Sequence, residues 1–292
     1  MNSALQKVAA VLRPRPSKQP HEVKSKAGRN LPAAVITAVV LLGLLALSVT
    51  IRIELFVLLV AVFLSIGLWE FAGALLVKEI KIPLIPLMLG LWVMIALTWI
   101  YGIGAGIIAY LLTCGISLVW RTFSARHAFT DGIVGCFGLG WIGIFGLFAV
   151  LIASLDNAPI LVSCFILLPV ANDTFGWLVG IFFGKTPIMP KISPKKSWEG
   201  FAGSMAGTLA LSVVIVHFAA GLSWYWAVLL GLVTPLFATT GDFAESLLKR
   251  DLGVKDMGTI FPGHGGMLDR IDSMLLCAPI CYLIFALATG AL

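Results

Sequence analysis

Residues 53–76 read IELFVLLVAVFLSIGLWEFAGALL, 24 residues with two acids and no Lys or Arg. Hydrocarbon about 30 Å thick takes roughly 20 helical residues at a rise of about 1.5 Å each, so this run is long enough to cross a bilayer. Similar runs lie at 32–51, 83–99, 102–120, 132–154, 158–184, 201–222, 224–240 and 273–292, which makes nine spans. Taken as one helix, 83–120 would measure about 57 Å, nearly twice the hydrocarbon thickness, so a turn is expected near Tyr101 and Gly102. The whole chain agrees: 292 residues, 60% hydrophobic and 12% charged, with a mean hydropathy of +1.03. Soluble domains carry roughly 25% charged residues, so water is not the main solvent and no large extramembrane domain fits. Uninterrupted apolar runs instead of period-two alternation exclude a porin-like barrel. The expected fold is all-α, a polytopic helical membrane bundle.

Residues 1–30 hold Lys7, Arg13, Arg15, Lys18, Lys24, Lys26 and Arg29, with Pro14, Pro16 and Pro20 breaking any long helix. This reads as a basic, disordered tail lying along anionic headgroups. No cleaved signal peptide is expected, because the first apolar run starts after Asn30 and is long enough to span. With the tail cytoplasmic, alternate loops place nineteen of the twenty Lys and Arg on the same side, leaving only Arg52 outside. That satisfies the positive-inside rule and, with an odd number of spans, puts the carboxyl terminus outside. The setting is then the inner, plasma membrane, with chemistry on the cytoplasmic side, since the outer loops are too short to hold a site. The net charge of +6 is accounted for by lipid headgroups and implies no nucleic acid. Cys114, Cys136, Cys164, Cys277 and Cys281 sit in apolar runs without metal spacing and read as small hydrophobes. The expected organisation is the tail, a bundle over 31–160, and a second bundle over 161–292 that carries two long inner loops, 185–199 and 241–272.

Loop 241–272 holds six of the chain's fourteen acids: Asp242, Glu245, Asp251, Asp256, Asp269 and Asp272. Asp242 and Ser246 are four apart and share a helical face, and Asp269 and Asp272 are three apart. Two such oxygen pairs converging suit Mg²⁺, which takes one or two carboxylates plus substrate phosphates. Spacing alone leaves a second reading open, in which the acids pair with Lys249, Arg250 and Arg270 on a solvated face. Between them FPGHGG, residues 261–266, sets three glycines around His264, a turn that lets backbone amides reach a phosphate or is simply structural.

The loop at 185–199 contains Ser193, Lys195, Lys196 and Ser197, followed by Glu199, and Pro194 stiffens the presentation. Lysine is a point charge for phosphate, though a topogenic basic loop accounts for the lysines as well. Asp173 lies mid-run in LLPVANDTFG. A carboxylate near the bilayer centre costs at least about 2.5–3.5 kcal/mol, so Asp173 is expected to face a watery cavity. Glu70, late in the 53–76 run, belongs to the same class. The S-x-x-K matches at Ser193 and Ser246 lack a K-T-G partner, and Gly184-Lys185-Thr186 has Val179 where a P-loop needs its first glycine, so neither is a site.

The stretch SLLKRDLGVKDMGTIFPGHGGMLDRID, residues 246–272, resembles the signature of the phosphatidate cytidylyltransferase family, also called CDP-diacylglycerol synthases. Gly241-Asp242-x-x-Glu245-Ser246, the block SPKKSWEG at 193–200, and Asp173-Thr174 resemble that family's secondary motifs. The likeness is firm over about residues 170–292 and rests on topology before that. Gly180-Ile181 stands where many members have a basic residue, and Ser197 where they have Thr. The resemblance implies a reaction of CTP with phosphatidate giving CDP-diacylglycerol and pyrophosphate, on a homodimeric protein. It implies a catalytic set of Asp242, Ser246, Lys249, Arg250, Asp269 and Asp272, of which Asp242, Ser246, Asp269 and Asp272 would ligate Mg²⁺. A second, monovalent cation is left open. Asp173, Ser193, Lys195, Lys196, Glu199, Lys255, Asp256, His264 and Arg270 would bind the substrates. The competing classes are a CTP-dependent lipid kinase resembling dolichol kinase, and a transporter.

Overall fold

A computed structural model describes residue 14 and residues 31–122, 128–261 and 265–292. The basic tail thus falls almost wholly outside the described residues, as does His264. The helices are α1 (Leu31–Ile51), α2 (Ile53–Leu75), α3 (Leu84–Tyr101), α4 (Ile103–Thr122), α5 (Ala128–Gly138), α6 (Phe145–Ile152), α7 (Ala158–Phe183), α8 (Trp198–Ser212), α9 (Trp224–Leu252) and α10 (Leu268–Thr289). A π turn, Leu139–Ile144, joins α5 and α6 into one rod, and a second, Val213–Ala219, extends α8. Among the described residues, eight rods, from α2 onward, are long and apolar enough to cross a membrane. α1 is a further apolar helix of 21 residues, and the sequence-derived spans and the described rods correspond one to one.

The breaks have local causes. Gly102 takes φ +82, a conformation that side-chain-bearing residues avoid, and splits 84–122 into α3 and α4 where the length argument required a turn. The largest difference from expectation lies in α9, which continues three turns beyond the apolar run that ends at 240. Those turns are polar but helical, because Asp242–Ser246 and Glu245–Lys249 are i,i+4 partners that support a helix. The expected loop 241–272 is therefore only 253–267; its flanks belong to α9 and α10. Gly253 ends α9 in the left-handed conformation (φ +73), with the Val254 amide closing back on Lys249 O at 2.9 Å. The loop 185–199 also carries structure that an all-α reading omits. An antiparallel hairpin, β1 (Pro187–Met189) with β2 (Ser193–Ser197), projects from the bundle, and Ser197 Oγ caps α8 by accepting from Gly200 N at 3.1 Å.

Buried residues from stretches 31–160 and 161–292 pack in one apolar cluster. Phe56, Phe71, Leu91, Met94 and Leu147 from the first half pack with Leu161, Leu168, Leu275 and Phe285 from the second. The cause is α10, which lies against α2 and α6 as well as α7 and α9. The cysteines are free thiols among these side chains, with Cys164, Cys277 and Cys281 fully buried.

α7 and α8 pack closely along three glycines. Gly203 faces Val179, Gly207 faces Phe175, and Gly176 faces Ser204, so that a side chain at any of them would strike its neighbour. Small residues let helices approach closely in lipid, and here they do so within one chain. Gly207→Leu is expected to cost about 1–3 kcal/mol by overpacking, lowering the thermal midpoint in detergent. An unchanged midpoint would show that Phe175 rotates away freely.

Candidate active site

Asn172 and Asp173 from the middle of α7 meet the polar end of α9, the start of α10 and the hairpin. On α9, Asp242, Glu245, Ser246 and Lys249 follow i, i+3, i+4 and i+7 spacing and occupy one face. Ser246 Oγ donates to Asp242 Oδ1 at 3.3 Å. Lys196, carried in from β2, forms an ion pair with Asp242 and lies 5.1 Å from the centre of the Phe243 ring. The hairpin and α9, 46 residues apart at these positions, are thus joined by a charged contact.

Lys249 is ion-paired to Glu245 and lies 2.9 Å from Asp269 Oδ1, so it bridges α9 and α10. Asp269 is also held by the loop: Met257 N donates to both its oxygens, at 3.1 and 3.2 Å, and Gly266 N to Oδ2 at 2.7 Å. These donors occupy most of its lone-pair directions. Asp272, one turn further along α10, is buried, and its Oδ1 accepts from Ser273 N at 2.7 Å. Its neighbours include Glu245, Asp242, Lys249 and Asp173. The two helices come close here because Gly241 lacks a side chain; a Cβ there would sit 2.8 Å from Asp272 O.

Two cavities open beside this cluster. The first is polar, about 430 Å³, and lined by Asn172, Asp173, Ser193, Lys195, Lys196 and Asp242 among others. The second is apolar, about 280 Å³, and runs between α1, α2, α6, α7 and α10 along Phe56, Phe63, Phe165 and Met274, with Arg270 and Asp173 on its wall. Asp173 lines both. Its Oδ1 accepts from Asn172 Nδ2 at 3.0 Å.

Other sequence-predicted residues have different neighbours. Arg250 is exposed, and its Nε donates to Ile192 O at 2.8 Å, so it tethers the hairpin to α9. Glu199 closes the hairpin base by accepting from Lys185 N at 3.0 Å and Thr186 N at 3.1 Å. Lys255 is exposed on the 253–267 loop, where Asp256 approaches Gly265. Glu245 is absent from the predicted site set, and Glu70, grouped in the sequence with Asp173, is buried against Gly258 and Gly266 instead of lining either of these cavities. Glu245 could have been found as the i−4 partner of Lys249; Glu70 accepts from Leu268 N at 2.9 Å across 198 residues of sequence, which no spacing reveals. Among the described residues, no three His, Cys, Asp or Glu side chains gather closely enough to chelate an ion unaided.

A helical bundle with membrane-length apolar rods in which a lysine- and carboxylate-lined cavity borders an apolar one has room for a charged and an apolar ligand side by side. The chain belongs to the Cytidylyltransferase family, whose model matches residues 32–288. It is 34% identical over 279 residues to the phosphatidate cytidylyltransferase of Mycobacterium leprae, covering 90% of this chain and 89% of that one. It is 31% identical over 248 residues to the Bacillus subtilis protein of the same name, covering 80% and 89%. To the Thermotoga maritima one it is 40% identical over 130 residues, covering 40% and 46%.

Proposed function

We propose that the protein is a phosphatidate cytidylyltransferase that joins CTP and phosphatidate into CDP-diacylglycerol and pyrophosphate. The observation that carries this reading is Asp173, the wall residue common to the polar and the apolar cavity. A triphosphate needs cations and a lipid needs an apolar seat, and here both kinds of surface border one side chain. The family membership and the names of its relatives support the same reaction.

In the reaction, a phosphatidate phosphate oxygen attacks the α-phosphorus of CTP. The bond from that phosphorus to the β-phosphate oxygen breaks, and pyrophosphate carries away the electron pair. The nucleophile is already ionised, so no strong general base is needed, and catalysis is positioning plus charge neutralisation. Lys195 and Lys196 face the polar cavity and meet the triphosphate. Arg270, on the wall of the apolar cavity, meets the lipid phosphate. Asp242 and Asp272, across the α9–α10 contact, suit a hard divalent cation such as Mg²⁺, because substrate phosphates and water complete its shell. Such an ion, when bound, neutralises charge on the phosphates being exchanged. Ser246 orients Asp242, and Asp269, held by amides and Lys249, fixes the loop beside them.

The basic hairpin and the 253–267 loop lie on the cytoplasmic side in this reading, because the positive-inside count places them with the amino-terminal tail. Purified protein given α-labelled and γ-labelled CTP with Mg²⁺ and phosphatidate is expected to move only the α label into extractable lipid. γ label in lipid would establish the CTP-dependent kinase instead, and no label in lipid would favour transport.

A further inference from the structure

We propose that Glu70 is a positioning residue for cytidylyl transfer: reaching from the first half of the chain, it caps the start of α10 and thereby sets Asp269, Arg270 and Asp272. Glu70 is 1% exposed near the end of α2, an environment where an ionisable group is costly and persists only with a purpose. The first amides of a helix have no partner within it, and Met267, at the N-cap of α10, supplies no side-chain cap. Glu70 Oε2 accepts from Leu268 N at 2.9 Å, and the Met267 amide faces the same carboxylate. Gly266 N turns the other way, to Asp269 Oδ2 at 2.7 Å. Two carboxylates from opposite directions thus divide the amides at this helix start.

The surroundings are shaped to the Glu70 head group. Gly258 and Gly266 both lie against it, and a Cβ on either would occupy the carboxylate's space. Its Oε1 is buried without a hydrogen-bond partner among the described residues. One turn earlier on α2, Gly67 leaves room for Leu268 and Ile271, each within 4 Å of where its Cβ would be. The segment carrying Met257 and Gly266, which in turn hold Asp269, is therefore seated on α2. What Glu70 contributes is an acceptor at a fixed reach for the amides at the start of α10.

Two conservative substitutions separate reach from charge. Glu70→Gln keeps an acceptor at full length, whereas Glu70→Asp keeps the charge and withdraws the acceptor by one methylene. Removing support from behind a working ligand costs about 10–100-fold, so kcat for the Asp variant is expected to fall by that factor. Its KM for CTP stays within about threefold, since the hairpin lysines that meet CTP are held separately by the Glu199 and Arg250 contacts, and the Gln variant retains kcat within about threefold. Hydrogen exchange provides an arm that needs no turnover: amides in 265–270 exchange faster in Glu70→Asp than in Glu70→Gln. The reverse order, with Gln impaired and Asp active, would overturn the assignment by making charge the requirement. Equal kcat per folded protein in all three, with only the thermal midpoint moved, would reduce Glu70 to a structural residue. The proposal rests on the cytidylyltransferase reading. If the parent chain transfers no α label yet the exchange difference is present, that reading fails while the cap stands; transfer without any difference between variants removes the cap alone.

Discussion

Turnover by an Asp242→Asn protein is expected to fall about 10²–10³-fold, the loss typical of removing one well-placed electrostatic group from a reaction centre. Asp242 is partly exposed to the polar cavity, its partners are Ser246 and Lys196, and its neighbour across the helix contact is Asp272. Asparagine has the same shape and can still accept from Ser246, so the fold should survive and the thermal midpoint move little. What it lacks is the charge that would attract a divalent cation to the phosphates and hold Lys196 over the cavity. The check is α-label transfer into lipid across a Mg²⁺ titration, beside binding of Mn²⁺ followed by its paramagnetic resonance. Asparagine should weaken Mn²⁺ binding as well as turnover, and Asp242→Glu should recover part of both. Near-parental turnover at ordinary Mg²⁺ concentrations would remove Asp242 from the ion-holding set and leave Lys196 as its only partner of consequence.

The rods were legible in the sequence because lipid imposes a single rule, a long apolar run, and Gly102 marked the one ambiguous break. The extension of α9 was illegible to the same rule, since residues 241–252 are polar and a polar helix facing a cavity has the hydropathy of a loop. Its i,i+4 pairs were the readable sign. Site residues divide similarly. Asp242 with Ser246 follows from helical spacing, whereas the Lys196–Asp242 pair is a tertiary contact that spacing does not reveal. Asp269 looked like a metal ligand because carboxylates are recognised by what they can bind; that it accepts from the Met257 and Gly266 amides depends on how a glycine-rich loop turns. Arg250 reads as a phosphate contact from its charge, and its Nε bond to a hairpin carbonyl is a further contact that the charge does not announce. Side-chain chemistry is visible in a sequence, whereas backbone donors and acceptors are present at nearly every residue and carry no signature. Gly203 and Gly207 carry no mark in the sequence of what they face, and the positions of Val179 and Phe175 supply it.

Lys249→Met is expected to be the most destabilising single change at the site, costing about 3–5 kcal/mol, because it leaves buried carboxylates without their counter-ion. The Glu245 side chain is 0% exposed and that of Asp269 only 4%, while Lys249 itself is 15% exposed between them. Methionine fills the same volume, so the loss measures charge and hydrogen bonding and not a void. Glu245 suffers most, since one of its oxygens is already buried without a partner. Asp269 keeps its amide donors, but loses the one contact that ties it to α9. By the usual relation of free energy to melting in chains of this size, the midpoint in detergent should drop by roughly 5–10 °C. Glu245→Gln in the same protein removes the stranded charge, so the double variant should melt higher than Lys249→Met alone. Its α-label transfer, however, should stay low, because the α9–α10 bridge to Asp269 is still absent. A Lys249→Met protein as stable as the parent would mean that water reaches Glu245 and Asp269, and a double variant with full activity would mean that Lys249 serves only to neutralise Glu245.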